Sequence, residues 1–362
     1  MRANLQRKRL IGLLVLCLLV GCLLTRAVGS PQALPLLDRS GQTAYCDRVA
    51  GLLDEATATI DLLLSEARLD GDPLCESLIA AAGRGVRVRV LLDASDWEPA
   101  ITQKNRPILD YLVANGITAR FDDPATTSHA KLVVVDRATV VLGSTNWNRY
   151  AFEEHEQANL VVIDPRVGEV FASYFDRLWA GTLFPGAVRL DLSFLEEPGP
   201  FLVPIPETEE TANYARVLLS LLARAQASVH VVMYRMSYYP TFADSRSNEI
   251  LDALIRAASR GLDVRVVTDD CAYYKDSADA NWEAAMYLLR HGVGVRMDDP
   301  DQTTHAKLVI VDGKDTLLGS TNWNYYSLER NNEVDLAVLG LPELAVAYEA
   351  FFEALWQEGR PP

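Results

Sequence analysis

A stretch of 20 residues occurs twice in this chain of 362 residues, and it limits the fold more than any other feature. It spans residues 129–148 and returns at residues 305–324, an offset of 176 positions (305 − 129), with 14 of the 20 positions identical. Five of the six differences are consecutive, at residues 137–141, as expected where a turn leads into a strand. A duplication of this kind predicts two tandem copies of one structural unit.

Each copy has the pattern of two short strands that end in polar side chains. Four apolar residues lie between Lys131 and Asp136, which is too few for a helix and predicts a buried strand. His129 and Lys131 are two positions apart, so their side chains leave the same face of that strand. A second strand at 139–142 ends in a Gly-Ser-x-Asn bend. One copy therefore offers an imidazole, an ammonium group, a hydroxyl and an amide, which suit a phosphoryl group.

The pattern His-x-Lys-x4-Asp-x6-Gly-Ser-x-Asn resembles the signature of the phospholipase D superfamily. Both copies match it at every position: His129, Lys131, Asp136, Gly143, Ser144 and Asn146, then His305, Lys307, Asp312, Gly319, Ser320 and Asn322. The resemblance covers nearly all of residues 40–360. It implies an α/β fold with two tandem halves, each a mixed central sheet flanked by helices. A pseudo-two-fold axis would relate the halves and bring both motifs into one cleft.

The resemblance also implies a chemistry, in which one motif histidine attacks phosphorus and the other protonates the leaving alcohol and then activates water. The implied catalytic residues are His129, Lys131, Asn146, His305, Lys307 and Asn322. The lysines and amides would hold the phosphoryl oxygens, so neither a metal nor a cofactor is expected. Ser144 and Ser320 would support them. Asp136 and Asp312 each follow an all-apolar strand, and we expect them to order a turn rather than react.

The roles of the two histidines are inferred from a position about 28 residues after each one. In the superfamily an acidic residue there accepts a hydrogen bond from the imidazole. The second copy has Glu333 at this position (305 + 28), whereas the first copy has Gln157 (129 + 28). Because a carboxylate raises the pKa of an imidazole and an amide does not, we expect His305 to act as general acid and His129 as nucleophile.

The first 22 residues resemble the leader of a bacterial lipoprotein. A basic start is followed by an apolar run at 10–21 and by a Leu-Val-Gly-Cys box that ends at Cys22, the residue that would carry the lipid. An uncleaved anchor at 10–24 and a secreted product are the alternatives, although 15 residues are few for a span of about 20. All three place the protein body outside the cytoplasmic membrane.

Composition and the repeat divide the remaining chain. We predict a tether at 23–40, a first half at 41–189, a linker at 190–209 and a second half at 210–362. Four prolines in the linker are expected to break any regular element there. Strands alternate with helices within each half, including a strand at 159–163, which predicts a sheet covered by helices.

The cysteine content gives no clear framework. Cys46 and Cys75 would form a disulfide in an oxidising compartment or stay as two buried thiols, and we favour the thiols. The odd count of three cysteines beyond the leader, with Cys271 as the third, favours no single arrangement.

Aromatic residues concentrate in loops of the second half near the expected mouth of the cleft: Tyr234, Tyr238, Tyr239, Tyr273, Tyr274 and Trp282. They either pack as partly buried filler or form a rim that meets a lipid surface or stacks on bases. Trp147 and Trp323 follow the motif asparagines and are expected to pack in the core. Aspartates at strand ends are expected to form turns and caps: Asp93, Asp122, Asp123, Asp269, Asp270, Asp298 and Asp299.

These features predict a metal-independent phosphodiesterase of phospholipase D type that hydrolyses phospholipid head groups through a phosphohistidine. The net charge of −15 disfavours a protein that grips long nucleic acids, although a local basic pocket is compatible with it. The expected partners are a phospholipid and, through the leader, a membrane. Alternatives are an extracytoplasmic endonuclease of the same superfamily, a phosphatidyltransferase of the cardiolipin synthase kind, and a catalytically silent binding module.

Overall fold

The computed structural model describes residues 32–69, 73–96, 98–196 and 199–362. The predicted leader, with Cys22, lies outside these ranges. Among the helices that they contain, none has both the length and the apolar character that a membrane span requires.

Strands and helices alternate along both halves. The strands are β1 (Gln32–Asp38), β2 (Thr59–Leu64), β3 (Arg87–Leu92), β4 (Thr118–Phe121), β5 (Lys131–Val135), β6 (Thr139–Gly143), β7 (His155–Ile163), β8 (Phe201–Glu207), β9 (Ser228–Met233), β10 (Asp263–Thr268), β11 (Gly294–Met297), β12 (Thr303–Thr304), β13 (Lys307–Val311), β14 (Asp315–Gly319) and β15 (Glu333–Leu339). The helices are α1 (Ala44–Glu55), α2 (Leu74–Gly83), α3 (Pro99–Ala114), α4 (Arg149–Glu153), α5 (Pro165–Ala180), α6 (Asn213–Arg224), α7 (Arg246–Ser259), α8 (Lys275–Arg290), α9 (Tyr325–Glu329) and α10 (Pro342–Glu358).

The two halves repeat one sheet topology. The first sheet has the order β1-β7-β6-β5-β2-β3-β4, and the second has the corresponding order β8-β15-β14-β13-β9-β10-β11. β2, β3 and β4 are parallel because helices α2 and α3 carry the chain back between them. β2, β5, β6 and β7 are antiparallel. The expected α/β fold, with two halves that each hold a mixed sheet flanked by helices, is confirmed.

The all-apolar strand of each motif is buried on both faces. In β5, Leu132 and Val134 pack into a core that also contains Leu308 and Ile310 of β13, whereas Val133 faces a core that belongs to the first half alone. Helices α5 and α10 contribute side chains to the core that the halves share. A strand that is covered on both faces needs no polar alternation, which explains the unbroken apolar run in the sequence.

Two segments that the sequence assigned to connections are strands. β1 lies within the predicted tether at 23–40, and β8 lies within the predicted linker at 190–209, so both predictions are wrong at these residues. Each adds an edge strand, β1 beside β7 and β8 beside β15. An edge strand leaves one row of backbone groups without a ladder partner, so β8 tolerates Pro204 and Pro206.

Candidate active site

The histidine of each motif is held in place by the opposite half of the chain. The backbone N–H of His305 donates to the carbonyl of Glu156 at 2.9 Å, where β12 pairs in parallel with the start of β7. In the same way, the N–H of His129 donates to the carbonyl of Asn332 at 2.9 Å, beside a bridge between Ser128 and Asn332. β7 starts at His155, four residues earlier than predicted, because of this pairing. The two motifs therefore occupy a common site only when both halves have docked.

Both motif histidines line one cavity of about 620 Å³. The motif asparagines line it as well, together with residues from the loops of both halves. The side chains that matter below are His129, Asn146, His305, Asn322, Glu66, Arg68, Lys104, Tyr150, His155, Tyr234, Arg235, Tyr274, Tyr326 and Asn331. The predicted meeting of the two motifs in one cleft is thus present in the structure.

Glu333 pairs with the histidine of the first copy rather than with that of its own. Its Oε2 lies 3.0 Å from Nδ1 of His129, and it also accepts from the Ser320 hydroxyl at 2.6 Å. Asn331 donates to its other oxygen at 3.2 Å. Burial alone would raise the pKa of this carboxyl, but the charge and hydrogen bond of His129 hold the pKa below its usual value. The expected contact between Glu333 and His305 is therefore wrong.

His305 faces a backbone carbonyl. Its Nδ1 donates to the carbonyl of Ser144 at 2.9 Å, which leaves Nε2 as the unprotonated nitrogen of the neutral ring. Among the described residues, Gln157 forms no hydrogen bond with either motif histidine; its amide oxygen accepts from the Ser144 hydroxyl at 2.6 Å. The sequence missed this because the partner position was assigned within each copy, whereas β7 and β15 reach across to the other half.

The two histidines consequently differ in electrostatics. Burial lowers the pKa of His129, and the neighbouring Glu333 counteracts this. Burial lowers the pKa of His305 well below its usual value, and the positive charge of Lys307 lowers it further, with no carboxylate in opposition. The expectation that His305 stays protonated more readily is wrong, since the carboxylate belongs to His129.

Both motif lysines are buried beside the motif histidines. Lys131 donates to the carbonyl of His129, and Lys307 donates to the carbonyl of His305 at 2.5 Å. Burial lowers the pKa of Lys131 to about 8, and it lowers the pKa of Lys307 well below its usual value, with the charge of Lys131 adding to the effect. An ammonium group has three N–H donors, and the histidine carbonyl accepts only one of them. An anion in the cavity would raise the pKa of each lysine and restore its charged form.

The Gly-Ser-x-Asn bend needs its glycine for close approach. A Cβ at Gly143 would lie 2.5 Å from the carbonyl oxygen of Ala158, and one at Gly319 would lie 2.4 Å from that of Val334. The bend places Asn146 and Asn322 in the cavity, where the side-chain oxygen of each is buried without a hydrogen-bond partner. Buried amide atoms without partners are typical of a site that a ligand completes.

The motif aspartates lie away from the cavity and hold a turn, as predicted. Asp136 accepts from the backbone N–H groups of Thr57, Ala58 and Thr59 at 2.8–2.9 Å. Asp312 makes the equivalent contacts in the second half. These bonds tie the end of the motif strand to the turn that precedes its neighbour in the sheet.

The aspartates at the strand ends also serve local structure. Asp93 accepts from the N–H of Ser128 at 2.7 Å, and Asp269 accepts from that of Thr304 at 2.8 Å, which orders the residue before each motif histidine. Asp93 borders the cavity, but burial and the neighbouring Asp122 raise its pKa to about 8. It therefore holds a proton near neutral pH and does not repel an anion.

Two residues of the site, Tyr234 and His155, lie outside the repeated motif. The ring of Tyr234 lies 4.5 Å from that of His305, and the Nζ of Lys307 lies 4.6 Å from the Tyr234 ring centre. His155 lies 6.0 Å from His305, and burial lowers its pKa to about 4. Its position 176 residues before Asn331, which also borders the cavity, is the one sequence feature that points to it.

The aromatic residues divide into filler and rim. Trp147 and Trp323 are buried and donate to tyrosine hydroxyls, so their predicted packing role is confirmed. Tyr238 stacks on Tyr287 in the second half. An exposed rim remains around the cavity and beside its lining residues: Tyr150, Phe242, Tyr273, Tyr274, Tyr325 and Tyr326.

Comparison with known proteins agrees with this geometry. The model of a family described as "Cardiolipin synthase, PLD-like domain" matches residues 49–179 and 218–356, which together are more than half of the chain. The chain belongs to the phospholipase D-like family. The match occurs once in each half, as the repeat predicts, and so confirms the superfamily that the motifs indicated.

Individual relatives are phospholipid enzymes. The chain is 34% identical over 158 residues to the mitochondrial cardiolipin hydrolase of Xenopus tropicalis, a match that covers 44% of this chain and 67% of the relative. It is 25% identical over 300 residues to cardiolipin synthase A of Yersinia pseudotuberculosis, covering 74% of this chain but only 57% of that protein. The chain therefore spans less than two thirds of the synthase's length.

A solved structure supports the fold on its own. The phosphatidylserine synthase of Haemophilus influenzae superposes with a TM-score of 0.68 over 90% of this chain and 87% of that chain, at 14% sequence identity. At this identity the likeness concerns the arrangement of the two sheets and helices, and both halves take part in it.

Proposed function

We propose that this protein breaks a phosphodiester bond of a phospholipid and passes the phosphatidyl group to an alcohol, through a covalent phosphohistidine on His129. The observation that carries the proposal is the single cavity in which His129, backed by Glu333, shares its space with His305. The relatives support a phospholipid substrate, and the longest of these matches are to cardiolipin synthases.

The pairing with Glu333 suits His129 as nucleophile. When Nδ1–H donates to the carboxylate, Nε2 carries the lone pair and can form the bond to phosphorus as the bond to the leaving alkoxide breaks. The phosphorylated ring is then an imidazolium, and the buried carboxylate offsets its charge. His129 thus remains the expected nucleophile. The reason is now its carboxylate partner Glu333, whereas the sequence had suggested that His129 lacks such a partner.

His305 then serves as the proton carrier. A phosphodiester anion bound in the cavity raises the pKa of His305, so that its Nε2 holds a proton and gives it to the leaving oxygen. The ring later takes a proton from the incoming alcohol or water. Lys131, Lys307 and the two motif amides would hold the non-bridging oxygens and offset their charge.

Hydrolysis is the second candidate, because the relative with the higher identity is a cardiolipin hydrolase. Both reactions share the phosphohistidine and differ only in the acceptor. Supplying purified protein with phosphatidylglycerol, with and without added ethanol as a second acceptor, separates them. Transfer yields a new phosphodiester lipid, whereas hydrolysis yields phosphatidate alone.

The proposal is tested by turnover of phosphatidylglycerol, cardiolipin, phosphatidylcholine and single-stranded DNA, each with and without EDTA. We expect lipid turnover that EDTA does not affect and that His129→Ala and His305→Ala both abolish. Cleavage of DNA without turnover of any lipid would favour the endonuclease instead. Loss of lipid turnover with EDTA would contradict the metal-independent mechanism.

We also propose that the leader anchors this activity outside the cytoplasmic membrane through a lipid on Cys22. The basic, apolar and Leu-Val-Gly-Cys segments support this. Metabolic labelling with a radioactive fatty acid tests it: wild-type protein should be labelled and Cys22→Ser protein should not. Labelling of the serine variant would contradict the proposal.

A further inference from the structure

Two arginines border the cavity beyond the groups that the proposed reaction uses. Arg235 directly follows Tyr234, whose ring contacts His305, and its carbonyl accepts from the N–H of Trp323 at 2.8 Å. Arg68 occupies the neighbouring loop of the first half, where its N–H donates to the carbonyl of Trp147 at 2.7 Å. The two side chains therefore come from the two halves and reach the same cavity.

Both guanidinium groups have an unsatisfied donor. The Nε atoms of Arg68 and Arg235 are buried and have no hydrogen-bond partner. A buried N–H without an acceptor costs on the order of 1–3 kcal/mol, so an arrangement that leaves two of them in one cavity favours a bound acceptor.

The charges around the arginines point the same way. Glu66 is the carboxylate beside Arg68, and it already accepts from Arg68 at 2.7 Å, Lys104 at 3.4 Å and the Asn148 amide at 3.0 Å. In the described ranges no carboxylate forms an ion pair with Arg235. The cavity lining has the basic side chains of Arg68, Lys104 and Arg235 against the carboxylates of Glu66 and Glu98, since the pKa of Asp93 is raised to about 8, and it forms a locally basic spot on a chain whose net charge is −15. Such a spot attracts an anion from solution.

One reacting phosphodiester does not account for these groups. Lys131 and Lys307, which lie beside the motif histidines, already hold the oxygens of the phosphodiester that His129 attacks in the proposed function. A guanidinium offers a planar fork of N–H donors that matches phosphate oxygens in pairs, whereas a lysine offers a point charge. The additional guanidinium donors in the cavity therefore indicate a site for a second anionic group.

We infer that Arg235, assisted by Arg68, forms a second phosphate subsite, which takes a phosphate that a glycerol unit joins to the reacting phosphate. One phosphate would lie between the two histidines and the other against the arginines. The inference rests on the proposed function for the location of the first phosphate. The second phosphate belongs either to a diphosphatidyl lipid or to the acceptor alcohol.

Measuring the affinity for one-phosphate and two-phosphate probes tests the inference. The probes are glycerol 1,3-bisphosphate and glycerol 3-phosphate, titrated calorimetrically into wild-type protein and the variants Arg235→Gln and Arg235→Lys. We expect Arg235→Gln to lower the affinity for the bisphosphate at least tenfold and the affinity for the monophosphate less than twofold. Arg235→Lys should lose an intermediate amount of affinity for the bisphosphate. Equal weakening of both probes, or of neither, would overturn the second subsite.

A matched control is Arg149→Gln. Arg149 is an exposed arginine on α4, it pairs with Glu153 and Glu154, and it does not border the cavity. Its loss should change neither affinity, and a selective loss of bisphosphate binding in this variant would contradict the assignment to Arg235. Thermal melts confirm that each variant is folded.

Turnover separates this inference from the proposed function and distinguishes the two sources of the second phosphate. Wild-type protein that turns over no phospholipid contradicts the proposed function but leaves the binding result to decide the subsite. Selective loss of cardiolipin turnover in Arg235→Gln assigns the second phosphate to the donor lipid. Selective loss of transfer to phosphatidylglycerol assigns it to the acceptor.

Discussion

At the residue scale, the two motif histidines differ in the group that each Nδ1 faces. His129 has the carboxylate of Glu333, and His305 has the carbonyl of Ser144. Both contacts present Nε2 to the cavity, but only the carboxylate can offset a positive charge on the ring. This difference, rather than the sequence distance within each copy, separates their proposed roles.

Glu333→Gln tests the role of that carboxylate. We expect kcat to fall about 10²-fold or more, because the phosphohistidine loses its counter-charge. Glu333 raises the pKa of His129, so its removal lowers that pKa and neutral His129 persists to lower pH. The acidic limb of the pH profile of kcat/KM should therefore move to lower pH. A shift of the basic limb instead would make His129 the general acid.

His155 is a third histidine in the cavity, and we expect it to contribute little to the chemistry. Its low pKa keeps it neutral at working pH, and its buried Nδ1 has no partner to orient the ring. His155→Asn, which copies Asn331 of the second half, should lower kcat by less than about tenfold, short of the 10²–10⁴-fold range typical of a general acid or base. His129→Asn is the comparison. A loss as large as that of His129→Asn would show that His155 reacts.

At the scale of elements, the sequence predicted what lies within one copy and missed what lies between the copies. The buried strand from Lys131, the turn at Asp136 and the packing of Trp147 follow from local pattern. The pairing of β12 with β7 depends on how two halves dock, and no local pattern encodes it. Likewise β1 and β8 are edge strands with weak apolar alternation, so tertiary pairing decides them.

Asp136→Ala tests the turn that anchors the motif strand. Asp136 accepts three backbone N–H groups and the Thr57 hydroxyl, and it has a positive φ of 51° that alanine tolerates poorly. We expect a loss of about 2 kcal/mol in the free energy of unfolding at pH 7, measured with urea. Asp136→Asn should lose less stability, because asparagine tolerates a positive φ better than alanine does. Activity per folded molecule should be unchanged; a 10²-fold loss of kcat would contradict the structural role.

Wild type and Asp136→Ala should also differ in how their free energy of unfolding depends on pH. Burial would raise the pKa of Asp136, but the backbone and Thr57 donors stabilise its charged form, so folding lowers the pKa. Its contribution to stability is therefore present above the unfolded value of about 3.9 and is lost as pH falls through the folded value. The stability gap between wild type and Asp136→Ala should narrow in acid. A gap that stays constant to pH 2 would contradict this.

At the scale of the whole molecule, an aromatic rim surrounds the mouth of a cavity that, by our proposal, receives a lipid. Tyrosine and phenylalanine side chains suit the boundary between head groups and acyl chains. Tyr273 is 85% exposed and Phe242 is 52% exposed, and neither borders the cavity itself. We expect the rim to hold the protein at a bilayer while the cavity takes the head group.

The double variant Phe242→Ala, Tyr273→Ala tests the rim. Its turnover of phospholipid in phosphatidylcholine vesicles should fall several-fold, because burying a large apolar side chain contributes roughly 1.5–3 kcal/mol. Turnover of a short-chain lipid below its micellar concentration should stay the same. Val346→Ser, at an exposed apolar residue of α10, is the control. Equal losses on vesicles and on the soluble lipid would assign the two aromatics to the site itself.

The most direct test of the whole account is to identify the histidine that becomes phosphorylated. A His305→Asn variant still has the nucleophile and its carboxylate but lacks the proton carrier of both steps. With a phosphatidyl ester of p-nitrophenol as substrate, the first step needs no proton on the leaving group, and only the second step is blocked. Mixed with this substrate, quenched in alkali and digested, it should yield a peptide that carries the phosphatidyl group on His129, or the glycerophosphoryl group that remains after alkaline loss of the acyl chains, as identified by mass spectrometry. A modified residue at 129 confirms the account. A His129→Asn variant that instead accumulates phosphate on His305, with His129 unmodified in the first variant, would contradict it.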